Sequence, residues 1–176
     1  MDTVQHSIDY LASADALRAL EKNLYWPKWH APWWHMTLLH ELGLAAQIPD
    51  RAAQGMVEAL KKICPLFPLR PEELPPGMDI VRDTMCHCGM GNIYQALAAK
   101  GVDLDTELPW MRAWFLRYQL PDGGLNCDGD AYLREPPPSA MGGTIAPLEA
   151  VLLHTPRPYT PDEVRFLDAG AQCLMG

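Results

Sequence analysis

Cys86, His87 and Cys88 stand side by side, and Cys127 follows further along the chain. Thiolate sulfur and imidazole nitrogen are the donors that tetrahedral zinc takes. These four residues are therefore the candidate metal ligands, and Zn2+ is the ion they imply. The Cys-His-Cys segment lies just before a helical pattern, where free backbone N–H groups favour thiolate over thiol. A Cys-x-Cys pair is tighter than the spacing of most structural zinc sites. Simple burial is the alternative for the same cysteines, since Cys packs as a small hydrophobe. A reactive thiol or redox pair is the third reading. Cys64 and Cys173 fall on apolar helical faces and are assigned to the core.

Asp83 and Asp128 are the candidate acid–base residues. Asp79 and Asp83 are four apart, so a helix would place both on one face. Asp128 and Asp130 share a Gly-containing loop, where a solvated or capping role is the alternative. His35 and His40 are five apart, which does not give one helical face, and they are not taken as a ligand pair. Trp26, Trp29, Trp33 and Trp34 supply aromatic faces of the kind that stabilise cations. They equally suit anchoring a helical hairpin.

The elements that must position these groups are helices. Seven segments carry apolar residues at helical spacing. They are marked by Tyr10, Leu17, Leu20 and Leu24; by Trp34, Leu38 and Leu42; by Ala53, Met56, Val57 and Leu60; by Met90, Ile93, Tyr94 and Leu97; by Leu104, Leu108, Met111, Phe115 and Tyr118; by Ile145, Leu148, Val151 and Leu152; and by Val164, Leu167, Ala171 and Leu174. No stretch alternates at period two, so strands are not expected. Thr160-Pro161-Asp162-Glu163 combines a capping Thr, a Pro at the first helical position and a Glu three after the cap. Gly43 and Gly101 each follow a helix where a left-handed residue closes it. The segment 65–76 and Arg134-Glu135-Pro136-Pro137-Pro138 are too proline-rich for regular helix. Helix, short turn, helix and a longer Pro/Gly loop recur at roughly 50–60 residues, the pattern of a stacked hairpin array. One all-α domain over 1–176 is expected.

Composition narrows the function classes. The net charge is −8 and no basic stripe is present, which argues against nucleic acid, whose binding needs Lys and Arg to neutralise phosphates. Hydrophobic residues make up 48% of the chain, enough for a core without staples. No run reaches the roughly 20 apolar residues that span a bilayer. The first residues lack a basic start and apolar run of a secretory signal, so a cytoplasmic location is the expectation. Five unevenly spaced cysteines do not read as a disulfide framework.

The segment Trp114-Phe115-Leu116-Arg117-Tyr118-Gln119-Leu120-Pro121-Asp122-Gly123-Gly124-Leu125-Asn126-Cys127 ends a helix in Gln, followed by Asp-Gly-Gly and an apolar residue. It resembles the repeat of terpenoid cyclases, squalene cyclase among them, and of protein prenyltransferase β subunits; Leu125 stands where that repeat has an aromatic. Three further segments resemble a bacterial prenyltransferase- and squalene-oxidase-repeat branch of the same superfamily. These are Tyr25-Trp26-Pro27-Lys28-Trp29 with Trp33-Trp34 and Leu42-Gly43; Cys86-His87-Cys88-Gly89-Met90-Gly91-Asn92; and Thr144-Ile145-Ala146-Pro147-Leu148-Glu149-Ala150.

The resemblance implies an α/α-toroid, or an arc of one, with helical hairpins around a central cavity. A full six-hairpin ring needs well over about 250 residues, so a missing second half or a homo-oligomer is part of the expectation. It implies a zinc-dependent enzyme acting on an apolar or peptide-like small substrate. The alternative is a non-catalytic helical-repeat binding or scaffold protein. The Cys-His pair is also similar to the zinc toroids of lanthionine synthetases, where Gly follows His directly. Protein prenyltransferases hold zinc with an Asp-x-Cys pair that this chain lacks. Asp128-Gly129-Asp130-Ala131 lacks the last Asp of the cyclase acid motif.

Overall fold

The computed structural model describes residues 3–63, 67 and 70–176, and every regular element among them is helical. Cys64 and residues 65, 66, 68 and 69 of the proline-rich stretch that follows it lie outside the described residues. The nine α-helices described are α1 (Thr3–Ala12), α2 (Ala14–Lys22), α3 (Pro32–Glu41), α4 (Asp50–Leu60), α5 (His87–Lys100), α6 (Leu104–Glu107), α7 (Trp110–Arg117), α8 (Met141–Leu153) and α9 (Pro161–Met175). The all-α expectation is met. None of these helices is long and apolar enough to cross a membrane.

The punctuation works as the residue types require. Ser13 divides the first helical pattern into α1 and α2, its hydroxyl accepting from the N–H of Ala16. Pro109 divides the fifth pattern into α6 and α7, because Leu108 must leave helical geometry ahead of a proline. Thr160 and Glu163 form a complete capping box at the start of α9. Gly43 and Gly101 take φ of 69° and 101°, the left-handed closure that a Cβ disfavours.

The chain forms two compact units, one from 1–63 with 93–109 and one from 64–92 with 110–176. In the first, α1 packs on α3 and α2 on α4. Leu11, Leu20, Met36, Leu39, Met56 and Leu60 fill its interior. In the second, α9 packs on α8 and α7, around Met111, Phe115, Leu148, Val151 and Phe166.

Three helices bury a different stripe from the most apolar one. In α3 Pro32, Trp33, Met36 and Leu39 are buried, while Leu42 at its C-cap is exposed. In α8, Leu148 and Val151 are buried but Ile145 and Leu152 are exposed. In α9 the expected face of Val164, Leu167, Ala171 and Leu174 looks outward, with Val164 42% and Leu174 40% exposed. Its neighbour stripe, Glu163, Phe166 and Gly170, is buried instead. Two contacts select it. A Cβ on Gly170 would lie 2.4 Å from the Leu148 side chain, so any larger residue there would force Leu148 to move. Glu163 is gripped by Arg157 through two 2.8 Å bonds, with Arg112 at 3.5 Å.

Candidate metal centre

The second unit brings Cys86, Cys88 and Cys127 together. Their sulfurs all lie within 4.8 Å of one another, and those of Cys86 and Cys88 are 3.3 Å apart. These are the only three or more His, Cys, Asp or Glu residues among the described ones that converge in this way. Three thiolates about 2.3 Å from a tetrahedral zinc stand about 3.8 Å from each other, inside the range found here. The donor set fits a thiophilic cation.

Two local structures build the cluster. The first is the start of α5. The Cys86 carbonyl accepts from the N–H of Met90 at 3.0 Å, which puts Cys86 at the cap and Cys88 in the first turn. First-turn N–H groups have no partner within their own helix, and that of Cys88 is donated to the Cys127 sulfur at 3.2 Å. The second is the Asp-Gly-Gly turn. Gly123 has φ of 90°. The Asp122 carboxylate accepts from the N–H of Gly124 at 3.0 Å. The Gln119 amide donates to the carbonyls of Gly123 and, across to α9, Phe166, both at 2.8 Å.

Beyond the turn the chain is pressed onto α8. The N–H of Leu125 bonds the Thr144 hydroxyl at 2.9 Å, and the Leu125 carbonyl accepts from the N–H of Ala140 at 2.8 Å. A Cβ at Gly143 would come within 2.9 Å of Asn126 Cα, and one at Gly91 within 2.5 Å of the Ala146 backbone. Both glycines therefore let α5 and the cysteine loop close on α8. Asn126 is held by its amide to the Pro138 carbonyl at 2.8 Å and by its own N–H to the Tyr132 hydroxyl at 3.1 Å.

His87 does not join the sulfurs. Its Nδ1 is 2.6 Å from the Asn126 carbonyl. A carbonyl only accepts, so Nδ1 carries the hydrogen and Nε2 is the bare lone pair. Nε2 is buried without a partner, as is the indole nitrogen of Trp114. The imidazole is fully buried among Trp114, Phe67, Tyr118 and Tyr132, with ring centres 4.3, 4.6, 5.8 and 6.0 Å away. This burial lowers its pKa to about 4, against the opposing pull of the Asn126 carbonyl and Cys86, so the ring is neutral at ordinary pH.

The Cys127 thiol is pushed far up, first by its hydrogen bonds with Cys86 and Cys88 and then by burial. Three sulfurs this close cannot all ionise without a cation between them.

The candidate acids serve their own turns. Asp83 takes two bonds from Arg82, at 2.8 and 2.6 Å, and one from the N–H of Asp79 at 2.9 Å. The Arg82 contact, named first among its causes, holds its carboxyl below the usual range. Asp128 accepts from the N–H of Asp130 at 3.0 Å and opens the turn Gly129–Leu133. Neither belongs to the convergent group. Cys173 is half-buried, 3.3 Å from the Ser139 hydroxyl. The aromatic wrap of His87 and the roles of Thr144 and Gly143 are not visible in the sequence. The only local hint is the glycine pair Gly89 and Gly91.

Compared with protein-family models, curated proteins and solved structures, the chain matches none of them.

Proposed function

We propose that this chain is a zinc-dependent enzyme of the α/α-toroid kind, related to terpenoid cyclases and prenyltransferases, in which Cys86, Cys88 and Cys127 hold the ion. The convergence of three sulfurs within 4.8 Å carries this reading. Among the described residues no fourth His, Cys, Asp or Glu completes the set. Structural zinc sites are closed by four protein ligands, whereas catalytic sites keep one position for water or substrate. Three protein ligands fit the second kind. Bound there, zinc would supply Lewis-acid stabilisation or an activated nucleophile. The substrate class is apolar or peptide-like.

The test is elemental analysis of tag-free protein purified without added metal, beside Cys86→Ala and Cys127→Ala. About one zinc per chain, lost in both variants, is the expected result. A wild type without stoichiometric metal removes the metal from the proposal.

A second reading is a helical-repeat binding protein whose cysteines only pack. Leu152 and Leu153 of α8 and Val164 and Leu174 of α9 are exposed, and are the apolar side chains such a protein would offer a partner. Stoichiometric zinc with an exchangeable fourth ligand decides for the enzyme.

A further inference from the structure

We infer that His87 is a positioning residue rather than a ligand: its Nδ1–H holds the Asn126 carbonyl and so fixes Cys127 beside Cys86 and Cys88. The inference rests on the metal-site reading and assigns the one residue of the Cys-His-Cys run that the sulfur cluster leaves out.

Two segments bring the ligands, the start of α5 and the loop that ends in Cys127. Beyond the contacts among the sulfurs themselves, the bonds between them include the Cys88 N–H to the Cys127 sulfur at 3.2 Å and the His87–Asn126 bond at 2.6 Å. The first is made by the ligands themselves and changes when a cation draws on the sulfur. The second is made by the residue between the two helix cysteines and the residue just before the loop cysteine. Holding the carbonyl of Asn126 fixes the peptide plane from which Cys127 departs. Cys86 and Cys88 bring their sulfurs to 3.3 Å of each other, while His87 between them reaches into the second unit's aromatic cluster.

The surroundings of the ring support a clamp. A buried nitrogen without a partner carries a desolvation cost, and His87 Nε2 is such an atom. Phenylalanine would fill the same aromatic cage without that cost. Nδ1–H is the part of the side chain that phenylalanine cannot replace, and its 2.6 Å bond joins the two segments without using a sulfur. Such hydrogen bonds behind the ligands of a metal site typically carry about 10- to 100-fold in metal affinity.

The experiment compares wild type with His87→Phe, which keeps a ring and loses the donor, and His87→Asn, which returns an N–H donor close to the same place. Helical circular dichroism and the melting temperature establish that each variant is folded. Zinc affinity is read by competition with a chromophoric chelator, and cobalt substitution reports the donor atoms through its thiolate charge-transfer and d–d bands. Arsenite under reducing conditions is a second, zinc-independent probe, because trivalent arsenic takes three convergent thiols.

The expected result is about a 10- to 100-fold weaker affinity for both probes in folded His87→Phe, with substantial recovery in His87→Asn. Cobalt in the wild type should show sulfur donors and no imidazole nitrogen. Equal affinity of His87→Phe and wild type for arsenite and zinc would overturn the clamp. An imidazole donor on cobalt, absent in His87→Phe, would overturn it in favour of ligation. A wild type that takes arsenite but not zinc, with the His87→Phe defect intact, removes the zinc reading and leaves the clamp standing. A wild type that takes neither shows that the thiols do not converge and overturns both.

Discussion

Glu163 shows at the scale of one residue how a buried charge is tolerated. It is only 3% exposed, yet both carboxylate oxygens are met by Arg157, its backbone partner is the capping N–H of Thr160, and Arg112 stands close by. The hydrogen bonds from Arg157 lead the causes that lower its pKa from 4.5 to about 2. A carboxyl depressed on folding adds stability above its unfolded pKa and loses it as pH falls through the folded value. The window is therefore between about pH 4.5 and 2, and the linked stability is on the order of 3 kcal/mol. Unfolding free energy followed against pH should fall across that window in the wild type. Glu163→Gln should be less stable near neutrality, because it removes the buried negative charge that Arg157 and Arg112 face, and should show a shallower acid loss.

Among elements, α8 and α9 show packing overriding hydrophobicity. Phe166→Ala should cost about 3–5 kcal/mol, the usual range for emptying a fully buried aromatic site. Val164→Gln and Leu174→Gln, on the more apolar but outward stripe, should each fall within about 0.5 kcal/mol of wild type. Urea unfolding of the three variants compares them directly. If Leu174→Gln destabilises as much as Phe166→Ala, α9 is rotated from the arrangement described. The helix starts give a second contrast. A Cβ at Gly91 meets the Ala146 backbone at 2.5 Å, while one at Gly142 meets nothing within 4 Å. Gly91→Ala should lose about 1–3 kcal/mol by forcing backbone apart. Gly142→Ala should be neutral or gain up to about 1 kcal/mol from helix propensity. The same denaturant curves, with zinc content of each variant, show whether the Gly91 approach also maintains the cysteine cluster.

For the whole molecule, the consequence of a metal site is linkage between ion and fold. An ion that binds only the native chain stabilises it by about 2.7 kcal/mol at a free concentration 100 times its Kd. Zinc should therefore raise the melting temperature of the wild type, a strong chelator should lower it, and Cys127→Ser should respond to neither. An identical response in Cys127→Ser would place the ion elsewhere. Binding should also release protons, since at least Cys127 is held as a thiol in the metal-free protein.

Much was legible in the residues alone, for physical reasons that are local. Helical periodicity, the Thr160–Glu163 capping box and the closures at Gly43 and Gly101 depend on neighbours a few residues away, and each is present in the fold. Ser13 and Pro109, which split two of the expected helices, act through equally local rules. The identity of the buried stripe is different in kind. Whether α9 turns in Phe166 or Leu167 depends on Gly170 admitting Leu148 and on Arg157 neutralising Glu163, contacts between segments far apart in sequence. The same holds for the site. Residue types and helix position marked Cys86, His87, Cys88 and Cys127 as candidate ligands, but spacing within the chain cannot measure the distance between a helix start and a loop. His87 carried the right chemistry for a ligand. Its direction was decided only in the tertiary structure, where the Asn126 carbonyl and four aromatic rings offer its ring a buried place apart from the sulfurs.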